Sequence, residues 1–376
     1  MWILFQTSPL IQSALVPVFC PSLQRQKRDA SRDQQPLSRS VGSGSRLIVL
    51  VTALAIVAVP MLAIPGSQDT TSNTNRRGGE DSDGPLQEAE RDIAANKFQE
   101  SESRLNVYLK DHPDSSKAHY DLGYIQFRTH NMGASIKELS KSLELNPANA
   151  EAHKILALDC SIVGRYDLAE VELVEAARLK PESAEIHYFL ARTYYTRGVY
   201  PLAQSEYQTS IRLDPSSVKA YSNLGITLEA LGDSAGALKN YTRAIQLEDQ
   251  EKYRSEWPDV YLSAFYNRQK NATQALIYAR RAVELNPRSD TVYFEMAKAY
   301  RTQKEFQKSA DAARRAIAIN AQVPDYYYVL GLVLRELGNQ RESAKALAKY
   351  AELQQPSGNT APEHAEQEPL SVPEPR

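Results

Sequence analysis

Residues 184–215 read AEIHYFLARTYYTRGVYPLAQSEYQTSIRLDP. His187, Leu190, Ala191 and Tyr194, then Ala203, Tyr207, Ser210 and Leu213, recur every three or four residues, the spacing of one face of an α-helix. Gly198 separates the two runs at a point where a left-handed turn is cheapest for glycine, and Pro215 closes the second run. The stretch therefore reads as two short amphipathic helices packed face to face. Neither helix has a second apolar face, so the pair needs neighbours of the same kind to bury what remains.

Those neighbours lie on both sides. Pro113, Pro147, Pro181 and Pro215 stand 34 residues apart. In the first helix of each unit a large apolar residue precedes a small one: Leu122-Gly123, Leu156-Ala157, Leu190-Ala191, Leu224-Gly225, Met296-Ala297 and Leu330-Gly331. Gly164, Gly198, Gly232 and Gly338 mark the turns, and Ala169, Ala203, Ala237 and Ala275 keep the second helix small where it crosses the first. In period and position this pattern resembles the tetratricopeptide repeat family. The resemblance implies an all-α fold, a right-handed superhelical solenoid of helix-turn-helix repeats.

The phase slips once. Asp249 occupies the place of a closing proline, and a four-residue insertion within 250–255 delays the next unit to about Glu256. Proline returns at Pro287, the sixth unit ends at Ala321 without one, and Pro324 opens the seventh. Residues 85–355 are thus expected to form the solenoid, with seven full repeats over 116–355. Residues 85–115 form a degenerate capping repeat, because Glu88 and Asp92 stand where apolar residues belong.

The flanks differ in composition. Residues 1–46 form a basic, serine-rich leader expected to be disordered. Residues 47–64, LIVLVTALAIVAVPMLAI, carry no charge and at about 1.5 Å per residue come close to spanning a hydrocarbon core about 30 Å thick, so they read as a transmembrane helix or signal-anchor. Lys27, Arg28, Arg32, Arg39 and Arg46 precede the segment while only Arg76 and Arg77 follow closely, which places the N-terminus in the cytoplasm and the repeats outside it, in the periplasm if the host is bacterial. A cleaved signal and a secreted protein is the competing reading, although 61–67 offers no clean small-residue cleavage site; a mitochondrial leader is a further one, which Asp29 and Asp33 weaken. Residues 65–84 form a flexible linker and 356–376 a disordered Pro- and Glu-rich tail.

A net charge of -2 over 376 residues gives no overall electrostatic drive toward nucleic acid. Cys20 and Cys160 lie far apart and do not build a disulfide framework. No HExxH, GxSxG or GxxxxGK[ST] pattern occurs, and neither a catalytic site nor a cofactor is expected. His119, His153 and His187 recur every 34 residues, but Tyr221, Tyr293 and Tyr327 fill the same position later, which points to a ring that packs. Histidines on successive layers also stand too far apart to share a zinc at about 2.0 Å, so no metal site is expected.

The resemblance implies that the first helices line a concave groove that holds an extended peptide or a partner helix. Residue by residue, it assigns Tyr120, Tyr124, Phe127 and Arg128 from the first full repeat and Lys154 from the second. Tyr188, Arg192 and Tyr195 come from the third, and Trp257 and Arg268 from the fifth. The sixth supplies Phe294, Lys298 and Arg301, and the seventh Tyr328 and Arg335. This face reads as aromatic and basic with few acids, and those residue types are enriched at binding hot spots. A carboxylate clamp for chaperone tails, known in the family, is not supported: Lys154 and Lys219 match it, but Leu158, Phe189 and Asn223 do not.

The expected protein is a membrane-anchored scaffold or adaptor that binds a protein ligand in its groove and is not itself an enzyme. The alternatives are an accessory subunit of an envelope enzyme or export machine and a secreted repeat protein. Ala344, Leu347, Ala348, Tyr350, Ala351 and Leu353 end the last repeat without a covering helix, so self-association through that end is also expected.

Overall fold

A computed structural model of the chain describes residues 84–250 and 254–355. The expectations for the leader, the apolar segment, the linker before Gly84 and the tail after Gln355 lie outside the described residues. Among the described residues there are sixteen helices and no strand. They come in pairs: α1 (Gly84–Ala94) with α2 (Phe98–Asp111), α3 (Ser116–Arg128) with α4 (Met132–Leu145), α5 (Ala150–Ile162) with α6 (Tyr166–Leu179), and α7 (Ala184–Thr196) with α8 (Tyr200–Leu213). The series continues with α9 (Val218–Ala230) and α10 (Ser234–Glu248), α11 (Trp257–Arg268) and α12 (Ala272–Leu285), α13 (Asp290–Thr302) and α14 (Phe306–Ile319), and α15 (Pro324–Glu336) and α16 (Gln340–Gln354).

Local chemistry sets the boundaries. Ser115, Asn149, Ser183 and Ser217 cap the first helices of four repeats, each accepting a hydrogen bond from the backbone N–H three residues on. Gly164, Gly198, Gly232 and Gly338 turn the chain between helices at φ of 75 to 82°. The other four pairs make the same left-handed turn with Asn96, His130, Lys270 and Lys304 at φ of 56 to 62°, so glycine is the preferred residue there and not a required one.

The small residues explain how closely each pair packs. A Cβ on Gly225 would lie 2.5 Å from the Tyr241 ring, and one on Gly123 or Gly331 would lie 2.7 Å from Leu139 or Leu347. Where the second helix carries serine instead of alanine, its hydroxyl donates to the facing carbonyl: Ser101 to Ala89, Ser135 to Gly123, Ser309 to Ala297 and Ser343 to Gly331. The fifth repeat reverses the bond, with Ser263 of α11 donating to Ala275 at 2.9 Å. Leu262-Ser263 thus completes the large–small series in the repeat displaced by the insertion.

First helices of successive pairs touch one another, α3 with α5, α7 with α9, α9 with α11 and α11 with α13, while second helices approach less closely. The first helices therefore line the inner side of the solenoid. At the N-terminal end, Glu88 and Asp92 of α1 are bound by Arg104 of α2 at 2.6 and 2.9 Å, giving this cap a charged outer surface where the other repeats are apolar. At the insertion α10 runs on to Glu248, and Asp249 binds Arg281 of α12 at 2.9 Å and Arg254 at 3.3 Å. The apolar core divides near this point. One large cluster runs from Phe127 to Phe265 and a second from Tyr293 to Ala346, with smaller groups around Val260 and Leu276 between them.

Candidate functional site on the concave face

Charged pairs that cross from one first helix to the next identify the inner face. Lys117 of α3 reaches Glu90 of α1 at 2.5 Å. Lys154 of α5 lies between Glu151 of its own helix at 2.7 Å and Glu185 of α7 at 2.6 Å. Arg268 of α11 binds both carboxylate oxygens of Glu229 on α9, at 3.0 and 2.6 Å. Asn267 donates to Glu295 of α13, to its backbone carbonyl at 2.9 Å and its carboxylate at 2.6 Å. Lys298 holds the other oxygen of Glu295 at 2.5 Å and lies over the Phe294 ring at 4.5 Å.

The residues assigned from sequence fall into three groups. Phe127, Lys154, Tyr188 and Phe294 are buried and belong to the packing between repeats. Tyr120, Tyr124, Arg128, Arg192, Tyr195, Trp257 and Lys298 are half-buried. Of these, Arg128 donates to the Tyr124 hydroxyl at 2.7 Å and lies over the Phe98 ring, Arg192 lies over Tyr188 at 5.8 Å, and Trp257 packs on Tyr261 at 5.8 Å. Arg268, Arg301, Tyr328 and Arg335 are exposed. Tyr328 keeps 42% of its surface open while its ring rests against Tyr350 of α16 at 5.1 Å.

The face is less basic than its sequence. Asp121, Glu151, Glu185, Glu229 and Glu295 all join it and hold Lys117, Lys154, Arg268 and Lys298 in ion pairs. Three of these acids were legible as partners. Glu151 and Glu295 each precede a lysine by three residues on one helix, and Glu185 follows Lys154 by nearly one repeat. Arg301 and Arg335, one repeat apart on α13 and α15, are different: both are exposed and have no ion-pair partner among the described residues.

Burial raises a carboxylate on each of α3 and α5. Asp121 is pushed up to about 6 by desolvation, against the opposing pull of Lys117. Asp159 on α5 is fully buried and is pushed up to about 7, desolvation again outweighing the nearby Ser135 hydroxyl. Neither oxygen of Asp159 has a hydrogen-bond partner among the described residues.

The periodic histidines do more than pack. The Nδ1 atoms of His119, His153 and His187 lie 2.7, 2.5 and 2.6 Å from Glu138, Glu172 and Glu206 on the paired second helix. Each Nε2 lies 2.9 to 3.1 Å from the carbonyl of the preceding proline, Pro113, Pro147 or Pro181. The ring thus ties a second helix to the turn that enters its own repeat, and both nitrogens are taken. The expectation of a simple packing ring is corrected in this respect. The overlooked signal was a glutamate 19 residues after each histidine. Where tyrosine replaces histidine, Tyr293 and Tyr327 donate to the same carbonyl, of Pro287 and Ala321, and alanine replaces the glutamate at Ala312 and Ala346. Among the described residues no group of three or more His, Cys, Asp or Glu side chains could hold a metal ion.

Comparison with known families and structures agrees with this architecture. A tetratricopeptide repeat model matches residues 86–150 and 294–360, a second, described as TPR repeat, matches 191–232, and a further tetratricopeptide repeat model matches 218–251. No curated protein matches the chain by sequence. A tetratricopeptide repeat protein from Parabacteroides merdae is 14% identical, with a TM-score of 0.55 over 67% of this chain and 98% of that one. The APC/C hetero-tetramer Cut9-Hcn1 gives 14% identity and a TM-score of 0.54, over 74% of this chain and 54% of that one. At such identities the likeness is one of fold.

Proposed function

Because the chain belongs to the tetratricopeptide repeat family, we propose that it is a protein-interaction scaffold that receives a peptide or partner helix along the inner face of α3 to α15 and performs no catalysis itself. The observation that carries this reading is the row of partly open aromatic and cationic side chains on successive first helices, Tyr124, Arg192, Tyr195, Trp257, Arg301, Tyr328 and Arg335. Such side chains give large contact area and charge-assisted hydrogen bonds at little cost in rotamer entropy, which is how hot spots work. Beneath them Lys154, Glu229 and Glu295 lock neighbouring helices together, so the face is preorganised.

Residues 47–64 anchor the chain in a membrane in this proposal, with the repeats on the extracytoplasmic side; the charge bias around that segment supports it. No helix among the described residues is long and apolar enough to cross a membrane. A role as accessory subunit to an envelope enzyme or export machine fits the same surface. Photo-crosslinking from inner-face and outer-face positions tests the groove reading, and a protease-protection assay on membranes tests the anchor.

A further inference from the structure

We propose that the acidic, proline-rich segment 356–376 of the same chain binds the C-terminal end of the concave face, on Tyr328, Arg335 and Arg301. Lys117, Lys154, Arg268 and Lys298 are neutralised by carboxylates, and Arg128 and Arg192 rest on tyrosine rings. Arg301 and Arg335 are exposed with no ion-pair partner among the described residues, so the open positive charge of the groove collects in its last two repeats. The acids of α15, Asp325 and Glu336, stand near its two ends, and Glu295 of α13 is already held by Lys298 and Asn267.

The Tyr328–Tyr350 contact sets the last turns of α16 beside the N-terminal half of α15, so the described chain ends at Gln355, about 7 Å along the helix beyond Tyr350 and toward the start of α15. From Tyr328 to Arg335 is about 10 Å along the helix, and the neighbouring first helix lies about 8–10 Å further. The segment from Gln355 to Glu363 can reach at most about 28 Å when extended, enough to bring its first glutamate to Arg335 and Glu366 or Glu368 toward Arg301.

Residues 356–376 contain Glu363, Glu366, Glu368 and Glu374 against the single Arg376, and prolines at 356, 362, 369, 373 and 375. A proline-rich chain forfeits little entropy on binding and suits an aromatic surface, which Tyr328 and Tyr350 provide. The inference rests on the groove reading only for the choice of face. Its ligand is the chain itself, and an external partner of that end would have to displace it.

The test uses the full chain in detergent with p-benzoyl-phenylalanine in place of Thr302, an exposed residue of α13 one repeat back from the tail's point of departure. Isotopically heavy and light chains are mixed, irradiated and mapped by mass spectrometry. The expected result is a crosslink to 356–376 within one chain, reduced about tenfold by Arg301→Glu with Arg335→Glu and restored when Glu363, Glu366 and Glu368 are also changed to Lys. Three results overturn the proposal: no crosslink to 356–376, heavy–light crosslinks that place the tail on a second copy, or a crosslink indifferent to charge reversal. Because no outside partner is involved, the outcome is independent of whether the groove captures one.

Discussion

The Nδ1 atom of His153 lies 2.5 Å from the carboxylate of Glu172, in a pair that is almost wholly buried between α5 and α6. The same relationship recurs one repeat before and one after, while the later repeats meet the same spatial need with other pairs: Arg315 over the Tyr293 ring at 4.8 Å, and Arg281 on Asp259 at 3.0 Å. One position of the repeat thus uses three chemistries for one purpose, fastening the second helix to its partner.

Removing one member of a buried pair leaves the other without compensation. Glu172→Ala is therefore expected to cost about 3–5 kcal/mol, read as faster amide hydrogen exchange in α5 and α6. Adding His153→Tyr recreates the tyrosine–alanine arrangement of Tyr293 and Ala312 and should recover much of the protection. A double variant no better than the single one would refute this account of the position.

Asp159 makes stability depend on pH. Its folded value of about 7 lies above the unfolded value of about 3.9, so the folded chain holds the proton more tightly. Stability from this group is complete below pH 4 and is lost as pH rises through about 7, a change on the order of 2–4 kcal/mol. Asp159→Asn should flatten the fall in melting temperature between pH 5 and 8. An unchanged pH profile would mean that Asp159 does not carry it.

Gly225 lies against the Tyr241 ring with no room for a side chain. Gly225→Leu should overpack α9 against α10 at a cost of about 1–3 kcal/mol, measured by urea unfolding of the central repeats. Wild-type stability in this variant would contradict the close approach of the two helices.

Inner-face cations divide into structural and free ones. Arg268→Gln unpairs Glu229, which also accepts from the Tyr241 hydroxyl at 2.7 Å, and should cost about 1 kcal/mol. Arg301→Gln and Arg335→Gln should leave the melting temperature within about 1 °C while changing what the last two repeats bind. Equal stability losses in all three would remove the distinction.

Much of the solenoid was legible because packing imposes its period directly: a large–small pair in the first helix and a small residue in the second recur wherever helices cross. The turns were half legible, since Gly164 announces a left-handed residue and Lys270 does not. The groove was the least legible. Sequence alone places Phe127, Lys154 and Phe294 on the inner side of their helices but does not say that neighbouring repeats close over them. Nor does composition reveal that the cations of the face are met by acids, because pairs such as Arg268 and Glu229 form across the insertion, where the 34-residue arithmetic fails.

The central claim, that the inner face receives a protein ligand, is tested most directly by site-specific photo-crosslinking in the native host. Probes replace Tyr195 or Trp257 on the inner side and, as controls, the exposed Gln208 of α8 or Gln246 of α10. A discrete protein adduct from the inner positions and none from the outer ones is the predicted result; adducts of equal yield from both sets would contradict it.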